Sequence, residues 1–262
     1  MHKRETTAIV VTMLVVIAII VVFAWRVTTQ EPDVLDVPET PSSALPVPKF
    51  GEISDVKEKK TAFFSYLKPE VDQQNLYLLT LRHYLLELQR KIQNNTPLDD
   101  HDREQFDWLI SEYRVDKELV PKEQVAQLLV KVDIIPAELV LVQAANESAW
   151  GTSRFAQEGY NFYGLWCYQK GCGFVPARRN SGAKHEVAKF NNASRSTYTY
   201  MRNLNRHDAY RELREIRRSL RENQKPISGY ALAEGLIHYS ERGAAYVEEL
   251  QTMMRYNKEY LN

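Results

Sequence analysis

An apolar run that ends in an acid and then a glycine constrains this chain more than any other feature. Residues 139–151 read Leu-Val-Leu-Val-Gln-Ala-Ala-Asn-Glu-Ser-Ala-Trp-Gly. Pro136 suits the first position of a helix. Val140, Gln143, Ala144 and Glu147 then follow at helical spacing, so Glu147 falls on or beside the apolar face. Gly151 breaks the helix, and Trp150 stands three residues past the acid. A carboxyl in that position should lose solvation in its charged form. Its pKa should rise, as a general acid near neutral pH requires. From spacing alone the alternative is a helix-end glutamate paired with Arg154.

The segment after the acid is rich in aromatic side chains: Trp150, Phe155, Tyr160, Phe162, Tyr163, Trp166, Tyr168 and Phe174. Gly159, Asn161 and Gly164 interrupt them, so no regular helix is expected. Rings on an irregular segment suit the wall of a groove, where sugars stack their C–H faces. The other reading is a small loop core beneath a neighbouring helix.

Asn146-Glu-Ser-Ala-Trp-Gly-Thr-Ser153, followed by Asn161-Phe-Tyr-Gly-Leu165, resembles the signature of bacterial N-acetylglucosaminidases of glycoside hydrolase family 73. That signature is a Glu-Ser-x-x-Gly-x-Ser element followed by an Asn-x-Phe-Gly-like one. Tyr163 stands where the family usually shows Phe. This resemblance spans about residues 135–255. The pair Cys167 and Cys172, with the helical half before it, also resembles Bax-type membrane proteins of Gram-negative bacteria, back to about Val56.

The resemblance implies a mainly α, lysozyme-like domain with at most a very small β-lobe. It implies hydrolysis of the β-1,4 bond after N-acetylglucosamine in peptidoglycan glycan strands, with Glu147 as general acid. Trp150, Asn161, Phe162, Tyr163, Trp166 and Tyr210 are the substrate-binding candidates. Tyr239 inherits the role of an active-site tyrosine, although Glu241-Arg242 replaces the family's Thr-Asp after it; the structural alternative is a core residue. Two carboxylates normally flank a glycosidic bond. Glu186 is the nearest match to a second one, against a plain surface glutamate near two lysines. Without it, the substrate's own 2-acetamido group would attack. No cofactor and no metal are implied.

The rest of the chain frames this domain. Residues 6–25 carry no charge and are mostly Val, Ile, Ala and Leu. At about 1.5 Å per residue such a run spans a bilayer of about 30 Å. Lys3 and Arg4 precede it, which places residues 1–5 in the cytoplasm and the remainder outside, anchored in the inner membrane with a periplasmic domain. A cleaved signal peptide is the alternative. Residues 26–55 hold Pro32, Pro38, Pro41, Pro46 and Pro48 without periodicity and read as a linker. Residues 56–262 are the folded domain, with a helical half over 56–134 and a catalytic half over 135–262. Lysines and arginines number 34, matched by 34 acids, so net charge gives no pointer to nucleic acid.

Leu78, Leu81, Leu85, Leu88 and Ile92 predict a helix over about 71–93. Further helices are expected around Phe106–Tyr113, capped by Asp99 or Asp100, and from Pro121. His83 and His101 lack partners at metal-ligand spacing. Outside the cytoplasm Cys167 and Cys172 would form a disulfide worth about 2 kcal/mol; the alternative is two reduced thiols. Lys184–Phe190 alternates as a short strand. Residues 196–221 read as a basic helix with a solvated face, the alternative being an anion-binding surface; the family resemblance implies a break near Asn205, and Ser228 caps the helix after it.

Two rival functions stay open. One is a peptidoglycan-binding scaffold with an inactive hydrolase fold. The other is a lytic transglycosylase, which also needs a single glutamate.

Overall fold

Asp55 starts the helix on which the domain is assembled. Its carboxylate accepts from the Glu58 amide at 2.8 Å, satisfying a donor that the first turn leaves open. In the computed structural model, which describes residues 45–176 and 185–261, helix α1 (Val56–Gln93) runs for 38 residues. It begins well before the expected 71, and Pro69 lies inside it. An interior proline costs about 3 kcal/mol. Buried Phe63, Phe64 and Leu67 before it, and Val71 and Leu78 after it, offset that cost on both sides of the missing bond. Asn95 ends the helix in the left-handed region at φ 53°.

Asp99 caps α2 (Asp100–Glu112), accepting from the Asp102 amide at 2.8 Å. Pro121 opens α3 (Pro121–Lys131). Helix α4 (Ala137–Glu147) begins one residue after Pro136 and is buried from Leu139 to Ala145 without interruption. A helix apolar on all sides is a core helix. α1 packs against α3 and α4. The short α5 (Arg154–Gly159) follows the acid.

The β-lobe is very small. β1 (Trp166–Cys167), β2 (Gly173–Phe174) and β3 (Glu186–Ala188) form one antiparallel sheet in the order β1-β3-β2. Trp166 and Phe174 both pair with Val187 from opposite sides. The Lys184–Phe190 strand is thus present as β3, though shorter. Cys167 and Cys172 are joined by a disulfide across the turn between β1 and β2.

α6 (Ala193–Arg206) packs on α1; α7 (Arg211–Glu222) follows after a short 3-10 turn, Asp208–Tyr210. The break therefore falls at His207, close to the expected place. α8 (Gly229–Ala233), capped by Ser228, precedes α9 (Ala244–Tyr256) and α10 (Lys258–Leu261).

The basic face corrects one expectation. Arg214 and Arg217 are buried. The Arg217 guanidinium donates to the carbonyls of Val130, Lys131, Asp133 and Ile134 and to Asn205 Oδ1. The last carbonyls of α3 have no partner within their own helix, and Arg217 supplies it. Arg221 grips the Asp133 carboxylate through two bonds of 2.5 and 2.6 Å. Only the outer part, where Arg218 meets Glu215 and Glu222, is a solvated face.

The linker's end is also packed. Phe50 is fully buried, 5.4 Å edge-on from Phe63, and Gln157 donates to the Pro48 carbonyl. Ordered contacts thus begin before Val56; one aromatic residue among prolines leaves no periodic trace. Among the described residues no helix is long and apolar enough to cross a membrane. The proposed anchor, residues 6–25, lies outside the described residues.

Candidate active site

Three successive left-handed residues end α4: Ala149 at φ 51°, Trp150 at 59° and Gly151 at 74°. Two of them are not glycine, so the turn costs energy and needs fastening. Buried Ser148 fastens it. Its hydroxyl donates to the Ala144 carbonyl at 2.6 Å and accepts from the Gly151 amide at 2.8 Å. A Cβ at residue 151 would run into the Phe50 ring. Ser153 then caps α5 by accepting from the Ala156 amide. The Glu-Ser-x-x-Gly-x-Ser spacing is thus a turn that ends α4 abruptly and leaves Glu147 at its rim.

Glu147 is exposed to a groove of about 640 Å³ rather than enclosed beside the apolar face. Its two oxygens have different surroundings. Oε1 accepts from the Tyr246 hydroxyl at 3.0 Å. Oε2 faces Gly164, where a Cβ would lie 3.7 Å away. Gly164, at φ 64°, is at once the residue that tolerates the left-handed turn and the one without a side chain beside the acid.

Behind Tyr246 the hydrogen bonds run in one direction. Gln143 Nε2 donates to the Tyr246 hydroxyl at 3.1 Å. Gln143 Oε1 accepts from the Tyr200 hydroxyl. Tyr246 therefore receives on its oxygen and spends its proton on Glu147. Partial loss of hydration at the groove's rim holds the Glu147 carboxyl above the ordinary carboxylate range; the Tyr246 bond pulls it down, and the charge of Glu249 pushes it up. Arg154 lies over the Phe155 and Phe174 rings instead of forming the ion pair considered from sequence.

The substrate-binding candidates separate into two groups. Tyr163, Trp166, Tyr210 and Tyr239 line the groove with Glu147. Trp166 is 54% exposed and stacks on His185, centroids 3.8 Å apart. Tyr163 is buried against Tyr200 in a parallel stack at 4.1 Å. The Tyr239 hydroxyl donates to the Tyr163 carbonyl at 3.2 Å, and its ring stacks on Tyr246.

The second group does not reach the groove. Phe162 is fully buried against Phe63 and Tyr66. The buried Asn161 side chain donates to the Leu165 and Ala188 carbonyls and accepts from the Leu165 amide, which ties the loop to β3. Trp150, carried round by the left-handed turn, meets Phe63 and Phe64 edge-on beneath Lys60. None of these three lines the groove that holds Glu147.

Glu186 also lies outside the groove lining. It is buried, and its oxygens accept from the Gly171 and Gly173 amides at 3.0 and 2.9 Å. A tight disulfide turn leaves backbone donors pointing inward, and the carboxylate satisfies them. Glu186 is therefore a loop anchor, and it is absent from the groove lining. Cys167, Cys172 and Glu186 are the one tight grouping of metal-ligating residue types among the described residues. Its two sulfurs are bonded to each other.

Sequence reasoning overlooked Tyr246, and Gln143 as its orienter. One signal was available: Gln143 is the lone polar side chain in the buried stretch Leu139–Ala145.

Residues 122–259, about half of the chain, match the glucosaminidase family, described as mannosyl-glycoprotein endo-beta-N-acetylglucosaminidase. The chain belongs to this family. The chain is also similar to Protein bax of Escherichia coli (strain K12), at 29% identity over 204 residues, 76% of this chain and 70% of that protein. No solved structure gives a significant match. Glycoside hydrolysis is the chemistry of the family, and the helical domain with its small sheet agrees with a lysozyme-like fold.

Proposed function

We propose that this protein is a peptidoglycan hydrolase that cleaves the β-1,4 bond after N-acetylglucosamine, with Glu147 as general acid. The observation that carries the reading is the division of labour between its oxygens. Oε1 is held by a donor, so the proton resides on Oε2, the oxygen open to the groove. A proton there is positioned for the leaving glycosidic oxygen.

Tyr239 acts at the sugar. Its proton is committed to the Tyr163 carbonyl, so it offers substrate an oxygen lone pair, which suits the positive charge growing at the anomeric carbon. Glu147 is the only carboxylate lining the groove among the described residues. That favours attack by the substrate's own 2-acetamido group over a protein base. Trp166 provides the exposed ring for stacking.

The same lone carboxylate supports a second reading, a lytic transglycosylase. Product ends separate the two: reducing N-acetylglucosamine from the hydrolase, anhydro-muramic acid from the transglycosylase. Digestion of purified sacculi followed by mass spectrometry reads them directly. Glu147→Gln should lower release by about 10²–10⁴-fold. Release at the wild-type rate by folded variant would refute the assignment.

Residues 6–25 we read as a single-pass inner-membrane anchor with the domain in the periplasm. The uncharged run after Lys3 and Arg4 supports this, as does a disulfide suited to an oxidising compartment. Protease added to spheroplasts should digest the domain; full protection until lysis would overturn the orientation.

A further inference from the structure

One residue of the groove comes from outside the part of the chain that matches the family. Arg114 follows α2 and precedes residue 122, where the match begins. It lines the same groove as Glu147. Its backbone is left-handed at φ 52°, a conformation uncommon for arginine. The Lys131 ammonium locks that backbone by donating to the carbonyls of Tyr113 and Arg114 at 2.8 and 3.0 Å. Tyr113 is buried, whereas Arg114 is exposed.

No hydrogen bond or ion pair engages the Arg114 guanidinium among the described residues. The neighbouring acid, Glu112, is already held by Tyr198, Arg202 and Arg206. On the groove wall, His207 accepts the Ala209 amide on Nδ1 at 3.2 Å, which leaves Nε2 as its donor. This part of the groove thus presents a free cation and a donor. Glu147 is the one carboxylate in the described lining. Such a site complements an anionic substrate better than a neutral one.

We propose that Arg114 is a specificity-determining residue that binds a carboxylate on the muramic acid unit of the glycan strand. The carboxylate belongs either to the lactyl group of a strand without peptides or to the stem peptide. A neutral chitin-type glycan offers neither, so Arg114 favours peptidoglycan over it. The inference rests on the peptidoglycan reading of the groove.

The test measures binding to full-length Glu147→Gln protein, so that strand cleavage does not interfere. Three probes are compared: strands with peptide stems, strands stripped of peptides by an amidase, and both kinds with their carboxylates converted to methylamides. The second protein adds Arg114→Asn, because asparagine tolerates the left-handed backbone. Circular dichroism verifies that it folds. The Arg114 protein should bind at least one carboxylate-bearing probe about tenfold more tightly than its neutralised form, and Arg114→Asn should erase that preference. The probe that carries the preference names the source of the carboxylate. An unchanged preference in Arg114→Asn, or none in the parent, overturns the proposal. If the preference holds and is lost in Arg114→Asn, but wild-type protein releases no muropeptides, Arg114 keeps its role and the hydrolase reading falls.

Discussion

The hydroxyl of Tyr246 donates to Oε1 of Glu147 at 3.0 Å, while Oε2 of the same carboxylate faces Gly164. Ninety-nine positions separate the two residues in the chain. The polarity of their bond is imposed from behind, by Tyr200 through Gln143. A carboxylic acid has one proton and two oxygens, and a neighbour that donates to one oxygen leaves the proton to the other. Any proton that Glu147 takes up therefore falls on Oε2.

Tyr246→Phe tests that arrangement. The bond favours the charged carboxylate, so losing it should raise the Glu147 pKa further. The acid then stays protonated to higher pH, and the alkaline limb of the pH–rate profile should move upward. The buried Gln143 amide also loses its partner, at a cost of about 1–3 kcal/mol in stability. A pH–rate profile of muropeptide release checks the shift; an unmoved alkaline limb would count against the role of Tyr246.

Glu147 should also leave a mark on stability. Its folded-state pKa lies above the ordinary 4.5, so the native state binds this proton more tightly than the unfolded chain. The resulting stabilisation is complete below the ordinary value and is lost as pH rises through the raised one. Glu147→Gln does not titrate. Thermal melts should therefore show the variant gaining on wild type as pH rises from about 4 to about 8. A stability difference that does not change with pH would contradict the raised pKa.

Trp166 and Phe162 are four residues apart and should behave differently. Trp166→Ala removes an exposed ring from the groove and should raise KM several-fold, with little change in the melting curve. Phe162→Ala empties a fully buried position and should cost about 3–5 kcal/mol. Denaturant titration beside steady-state kinetics distinguishes them. Equal losses of stability would show that Trp166 is a structural residue.

Glu186→Gln should act on the loop. The amide keeps one acceptor for the Gly171 and Gly173 donors but loses the charge-assisted pair. Protease susceptibility between Cys167 and Cys172 should increase, while release from sacculi falls by far less than in Glu147→Gln. A loss of rate as large as that of Glu147→Gln, in folded protein with the loop intact, would restore Glu186 as a second catalytic carboxylate.

Local physics was legible from the chain alone. Asp99, Pro121 and Ser228 mark helix starts because the donors they satisfy, or lack, belong to their own first turn. The short strand at Glu186–Ala188 and the paired cysteines carry equally local signals. So does the acid at the end of an apolar helix, since period and breaker are written within a dozen residues. Tertiary structure decided whatever depends on a partner far along the chain. The irregular segment after Glu147 has no period, so nothing local assigns Phe162 to the core and Trp166 to the groove. Arg217 looks like a surface cation until the open carbonyls of α3 are brought to it. Glu186 looks like a free acid until the disulfide turn aims two amides at it. Tyr246 meets Glu147 only when α9 packs on α4. Spacing within a helix shows which side chains share a face; only packing determines what that face meets.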